Sequence, residues 1–166
     1  MKQEFTSAAT SINSVKLPAV FSKLPTTPAP AVILDYGCGK YTDHIRAALP
    51  AGTEYLPFDV YNQPQHVNDA TMNRAAELRA QGTPITVVCS NVLNVIKEDA
   101  IVEEIADQLT YLPGPDGVAF ITVYEGNRSG RGRQTGPDQY QRNEKLREYL
   151  RFFPNAEIRN GMIVLL

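Results

Sequence analysis

Cysteine and histidine are scarce in this 166-residue sequence, with two of each. Cys38 and Cys89 form no Cys-x-x-Cys pair, and His44 and His66 stand apart from them. That spacing excludes a zinc framework and a disulfide scaffold, so two reduced thiols, surface histidines and no metal are expected. Long apolar runs are also missing. None approaches the roughly 20 residues of a membrane span, and residues 1–14 lack the apolar core of a signal peptide. A soluble, cytoplasmic protein with no membrane partner is the expectation. An excess of either charge is absent too: the formal net charge is −2, which argues against a protein that coats polyanions. What remains, 43% hydrophobic and 20% charged residues, is ordinary globular composition for one domain.

Residues 1–30 carry Pro18, Pro25, Pro28 and Pro30 among Ser, Thr and Ala. This reads as an extension packed over the domain or its ligand, a candidate lid, with a short helix over 7–15. Residues 31–166 form the domain proper. Buried strands are predicted at 31–36, 54–60, 85–89 and 118–124, from short β-branched or apolar runs closed by turn residues. A very short strand is placed at 66–67. Helices are predicted at 42–49, 71–81, 97–112 and 138–153, the third from the i, i+4, i+8 spacing of Ile101, Ile105 and Leu109. The chain closes with 156–159 and 162–166, joined through Asn160-Gly161 as a tight hairpin. Strands alternating with helices predict a mostly parallel twisted α/β sheet, with helices on both faces and an antiparallel hairpin at its end.

Open α/β sheets bind ligands beyond the carboxyl ends of their strands. Asp35, Gly37 and Gly39 lie at the end of the first strand, with Lys40 and Tyr41 completing the turn. Two glycines let the backbone turn sharply and approach a ligand closely. Asp59 ends the second strand, where its two oxygens suit the two hydroxyls of a ribose. Asn68 and Asp69 are candidates for reading an adenine, although Asp69 equally suits the start of a helix. A dinucleotide pyrophosphate needs a small-residue turn opening on a helix, and bulky Tyr41 stands there instead. The residues therefore favour an adenosine cofactor without phosphates, S-adenosylmethionine over NAD.

The run VILDYGCGKYT at 32–42 resembles the first motif of S-adenosylmethionine-dependent methyltransferases, and VVCSNVLNVI at 87–96 resembles their fourth-strand segment. With the Thr122 to Gly126 segment, these are similar to a group of small class I, Rossmann-like methyltransferase-like proteins, many of them associated with bacteriophages. The resemblance spans roughly residues 6–166, including the Arg-Gln-Thr-Gly and Tyr-Gln-Arg-Asn pieces. It implies that Asp35, Gly37 and Gly39 frame the methionine part, Asp59 holds the ribose, and Asn68 and Asp69 hold the adenine. Ser90, Asn91 and Val92 then line the floor near the sulfonium. Two departures stand out: Tyr41 replaces the third glycine, and the segment after the second strand is short.

Methyl transfer needs alignment, exclusion of water and, for some acceptors, removal of a proton. Glu125 is the candidate base, followed by Tyr124 and Asn91. The Asp/Asn-Pro-Pro-aromatic tetrapeptide of amino-directed DNA methylases and the Pro-Cys pair of a cytosine-C5 nucleophile are both missing. Cys38 reads as a small buried filler. Residues 126–137 hold Arg128, Arg131 and Arg133 and no acid. They form a glycine-rich loop expected at the substrate mouth, where Asn94, Gln134 and Tyr140 join them as substrate or partner contacts. The expected function is methyl transfer to a small-molecule or nucleotide-like acceptor. The rivals are a non-catalytic protein that engages nucleic acid or a partner protein through the arginine loop, and an enzyme that degrades its cofactor.

Overall fold

The computed structural model describes residues 2–8 and 16–166. After a 3₁₀ turn at Ala19–Lys23, the chain forms β1 (Val32–Tyr36), α1 (Asp43–Ala48), β2 (Glu54–Phe58), α2 (Gln65–Ala80) and β3 (Thr86–Ser90). A 3₁₀ turn at Leu93–Val95 leads to α3 (Asp99–Tyr111) and β4 (Val118–Thr122). Then follow β5 (Arg133–Gly136), β6 (Gln139–Gln141), a 3₁₀ helix at Leu146–Phe152, β7 (Glu157–Arg159) and β8 (Met162–Leu165). The main sheet has the order β2-β1-β3-β4-β8-β7. The pairs β1/β2, β1/β3 and β3/β4 are parallel, while β4/β8 and β7/β8 are antiparallel.

Side chains alternate across a strand, and both faces of this sheet are covered. Leu34, Val87, Cys89 and Ile121 pack with Leu78 of α2 and Val102 and Leu109 of α3. Ile33, Val88, Phe120 and Val164 face the other way, against Ile45 of α1 and Val20 and Phe21 of the first 3₁₀ turn. The fold is therefore the mixed, mostly parallel α/β architecture expected. The closing hairpin turns at Asn160 and Gly161, both at positive φ (50° and 71°), the geometry that a two-residue turn between twisted strands requires.

Two expected elements are different. No strand forms at 66–67; Pro64 sits at the entry to α2, and the Val67 N–H already donates to the Pro64 carbonyl. One helix thus carries the chain from β2 to β3. The helix expected over 138–153 is also replaced. Its first part pairs as β6 with β5 in a separate antiparallel ribbon, and Asn143 at φ 58° breaks helical geometry. The apolar stripe survives as the 3₁₀ helix, which buries Tyr149 and leads into buried Phe153. The helix expected over 7–15 falls almost wholly outside the described residues.

Candidate active site

The turn after β1 is built on backbone hydrogen bonds to β2. Gly37 and Gly39 adopt φ of 81° and 76°, where a side chain is strained. The N–H groups of Gly37 and Cys38 donate to the Phe58 carbonyl at 2.7 and 3.1 Å, and Gly39 N–H donates to Asp59 Oδ2 at 2.9 Å. A Cβ on Gly37 would collide with the Val92 side chain, so this glycine serves the packing of the β1 turn against the segment after β3.

Asp59 organises the neighbouring loop. Its Oδ1 accepts from the backbone N–H groups of Tyr61 and Asn62 and from Asn62 Nδ2, at 2.9–3.2 Å. Among the described residues its Oδ2 accepts from Gly39 alone, so that oxygen retains acceptor capacity. Asn68 is buried and spends its carboxamide on the backbone N–H and carbonyl of Asp59 (2.9 and 3.0 Å).

Beyond the carboxyl ends of β1, β2 and β3 lies a cavity of about 600 Å³, lined among others by Gly37, Gly39, Asp59, Asn91 and Tyr124. Lys40, Tyr41, Ser90, Val92 and Asn94 also line it. So does the N-terminal extension on both sides of the undescribed stretch, through Thr6 and Ser7 and through Lys16, Leu17 and Pro18. Asp138 secures that extension: its carboxylate accepts from the backbone N–H (2.8 Å) and the hydroxyl of Thr6, and its carbonyl accepts from Ser7 N–H at 2.9 Å.

Several expected residues are placed elsewhere. Asp35 does not line the cavity; it is buried on the opposite face of β1 and accepts from the Tyr55 hydroxyl at 2.7 Å. Burial pushes its pKa up to about 7, against the Tyr55 hydrogen bond and with a smaller contribution from the charge of Asp59. Asp69 is exposed on α2, accepts from Gln65 Nε2 at 2.8 Å, and with Asn68 lines a separate groove between α2 and α3. Glu125, expected as the base, is placed outside the cavity lining. Its carboxylate accepts from Leu146 N–H at 2.7 Å and pairs with Arg128 Nε at 2.6 Å. The Leu146 N–H and then the Arg128 charge hold its pKa below the usual carboxylate value.

The arginine loop is less free than its glycines suggest. Asn143 accepts from Asn127 N–H and donates to the Arg131 carbonyl, while Gln134 donates to the Gly136 carbonyl. Tyr140 is stacked on Phe5 at 5.7 Å. Only the side chains of Arg131 and Arg133 are exposed without a partner among the described residues of this loop's arginines, Arg128 being paired with Glu125. Burial, first among the causes, raises the Cys38 thiol well above its ordinary pKa; Cys38 is half-buried and lines the cavity, where a small buried filler was expected. Among the described residues no cluster of three His, Cys, Asp or Glu side chains is placed to hold a metal ion, and no helix is long and apolar enough to cross a membrane. Sequence reasoning missed Gln141, which is buried on β6 and lines the cavity. Its only sequence signal was the Tyr-Gln-Arg-Asn piece, masked by the helical reading of that stretch.

A parallel sheet with a two-glycine turn locked to an acid at the end of the adjacent strand defines an α/β protein that binds a nucleoside-type cofactor. The family follows from comparison. A family model described as a methyltransferase domain matches residues 12–162; the chain belongs to that family, is an enzyme of methyl transfer, and uses S-adenosylmethionine as methyl donor. Among solved structures it resembles the crystal structure of Burkholderia thailandensis 1,6-didemethyltoxoflavin-N1-methyltransferase with bound 1,6-didemethyltoxoflavin and S-adenosylhomocysteine. The two share 17% identity over 88% of this chain and 74% of that one, with a TM-score of 0.56, a likeness of fold. No curated protein matches the chain. Neither match supports the phage association.

Proposed function

We propose that this enzyme methylates a small organic acceptor bound in the 600 Å³ cavity beside S-adenosylmethionine. The observation that carries this reading is the junction of Gly39 N–H with Asp59 Oδ2 on the cavity wall. It leaves an acceptor oxygen for a ribose hydroxyl next to a backbone turn that approaches a ligand closely. The volume suits the proposal, since small-molecule sites span about 300–1,000 Å³. The Gly37–Tyr41 turn would lie against the methionine part, Asp59 against the ribose, and Ser90, Asn91 and Val92 beneath the sulfonium. Bound there, the cofactor supplies an electrophilic methyl group.

The chain's own part is alignment and exclusion of water. Asp35 lies outside the cavity, Glu125 is held by Leu146 and Arg128, and Asp59 is engaged by its loop. No carboxylate among the described lining residues is therefore free to act as a base, which favours an acceptor that is already nucleophilic. Residues 1–30 act as a lid in this reading, and the neighbouring enzyme, crystallised with 1,6-didemethyltoxoflavin, supports a small-molecule acceptor. Calorimetric titration tests the proposal: micromolar binding of S-adenosylmethionine and S-adenosylhomocysteine without binding of NAD is expected. Product analysis then separates transfer, which yields S-adenosylhomocysteine, from breakdown, which yields methylthioadenosine. Failure of both cofactor forms to bind would overturn the reading.

A further inference from the structure

At the Tyr124 end of the cavity, two carboxamides hold each other. Asn94 Nδ2 donates to Gln141 Oε1 at 3.1 Å, and Gln141 Nε2 donates to the Tyr124 carbonyl at 2.9 Å. Asn94 Oδ1 accepts from the Tyr124 N–H at 3.4 Å. A primary carboxamide offers two N–H groups and two oxygen lone pairs. After these bonds Gln141 therefore keeps one donor and one acceptor, adjacent on a single planar group. Gln141 is only 8% exposed and lines the cavity, where polar capacity left unmatched is costly.

Tyr124 adds a flat apolar face. The residue is 63% exposed and lines the same cavity, and its ring has no ring partner among the described residues. Asp59 is the one acid among the described lining residues; the loop engages its Oδ1 and the remaining capacity of its Oδ2 is assigned to the ribose, so the cavity has no spare carboxylate for an ammonium group.

On the reading that this cavity is the methyl-transfer site, we infer that Gln141 and Tyr124 select the acceptor: a planar, non-cationic heterocycle with a cyclic-amide edge, N–H beside C=O. Gln141 pairs with that edge through its remaining donor and acceptor, and the Tyr124 ring covers the heterocycle face. Gln141 is a specificity-determining residue; it binds and orients the acceptor and moves no proton. An analogue whose ring nitrogens are methylated lacks the N–H that Gln141 Oε1 would accept from and sets a methyl against that oxygen, so discrimination of about tenfold or more is expected.

The test uses the full chain saturated with S-adenosylhomocysteine and titrated with lumazine, a pteridine dione, or its N,N-dimethyl derivative, in mildly acidic buffer. The chain contains no tryptophan, which leaves lumazine fluorescence as a clean second readout beside calorimetry. The expected result is lumazine binding at least about tenfold tighter than the blocked derivative. That preference should vanish in Gln141→Met, which removes both the donor and the acceptor, whereas Tyr124→Ala should weaken both probes alike. Both variants should keep wild-type affinity for S-adenosylhomocysteine. Equal affinity for the two probes, binding of neither to the loaded wild type, or an undiminished preference in Gln141→Met would overturn the inference and leave methyl transfer standing. Should Gln141→Met fail to fold, the wild-type probe comparison and exposed Tyr124 still decide. Absence of S-adenosylhomocysteine binding would instead bring down the functional proposal on which this rests.

Discussion

The two walls of the cavity are built by different means. On the cofactor side, the β1 turn, the end of β2 and the start of α2 lie within a short stretch of chain, and their hydrogen bonds close over at most 24 residues, from Gln63 to Gly39. On the acceptor side, Thr6 meets Asp138 across 132 residues, Glu4 meets Glu98 across 94, and Asn94 meets Gln141 across 47. The first wall is a stiff turn fixed by glycines and one acid. The second is an assembly of separate segments, each too polar to hold its place alone. A single fold thus joins a preformed floor, proposed for the cofactor, to a roof, proposed for the acceptor, whose shape depends on contacts between distant parts of the chain. Loop-closure entropy must be repaid before such contacts stabilise anything, so the roof is expected to open at lower free energy than the floor.

Substitutions can break this contrast, and the largest effect belongs on the floor. Gly37→Val adds left-handed strain to a collision with Val92. A loss of about 2–5 kcal/mol in stability, with cofactor binding abolished, is expected from denaturant melts and calorimetry. Retained affinity would show that the turn does not form the site.

The next effect follows pH. The folded protein holds the Asp35 proton up to about pH 7, whereas the ordinary carboxyl value is 3.8. Proton binding by the folded state then exceeds that by the unfolded chain between these values. This group's stabilising contribution is complete below pH of about 4 and is lost as pH rises to about 7, on the order of 4 kcal/mol at most. Asp35→Asn should flatten that slope and melt higher than wild type above neutrality, since a carboxamide still accepts from Tyr55. An unchanged slope would place the charged form in the core.

Asp59→Ala removes the acceptor for Gly39, Tyr61 and Asn62. A stability loss of about 1–3 kcal/mol is expected, together with a larger loss of S-adenosylhomocysteine affinity than any roof variant shows. Asp138→Ala tests the other wall. It removes two hydrogen bonds from Thr6 and should speed amide exchange at residues 2–8 by a factor of about ten or more, while the sheet exchanges as before. If the sheet responded equally, floor and roof would be one cooperative unit. The smallest effect is expected from replacing Arg131 and Arg133 together with alanine: within about 0.5 kcal/mol in stability, with cofactor affinity unchanged. Loss of nucleic-acid or phosphate binding in that variant would give the arginine loop a partner of its own.

The floor was legible because its signals are local. Apolar runs such as 32–36 and 118–122 read as buried strands, the two glycines announce a turn, and Asn160-Gly161 announces a hairpin. Even there, residue roles shifted. Asp35 and Asp59 look alike in sequence, yet the alternation of side chains along β1 turns Asp35 toward Tyr55, while Asp59 sits just past its strand and reaches the cavity.

The roof was not legible. Residues 133–141 lack any apolar alternation, so nothing local distinguishes a ribbon from a helix start, and Gln141 and Glu125 gave no hint of their partners. The sequence by itself determined the sheet, its glycine turn and the class of cofactor, because side-chain period and backbone sterics act within a few residues. Only the tertiary structure decided which polar groups meet in the cavity. Hydrogen bonds between Thr6 and Asp138, Asn94 and Gln141, or Glu125 and Leu146 exist only once burial has brought distant segments together.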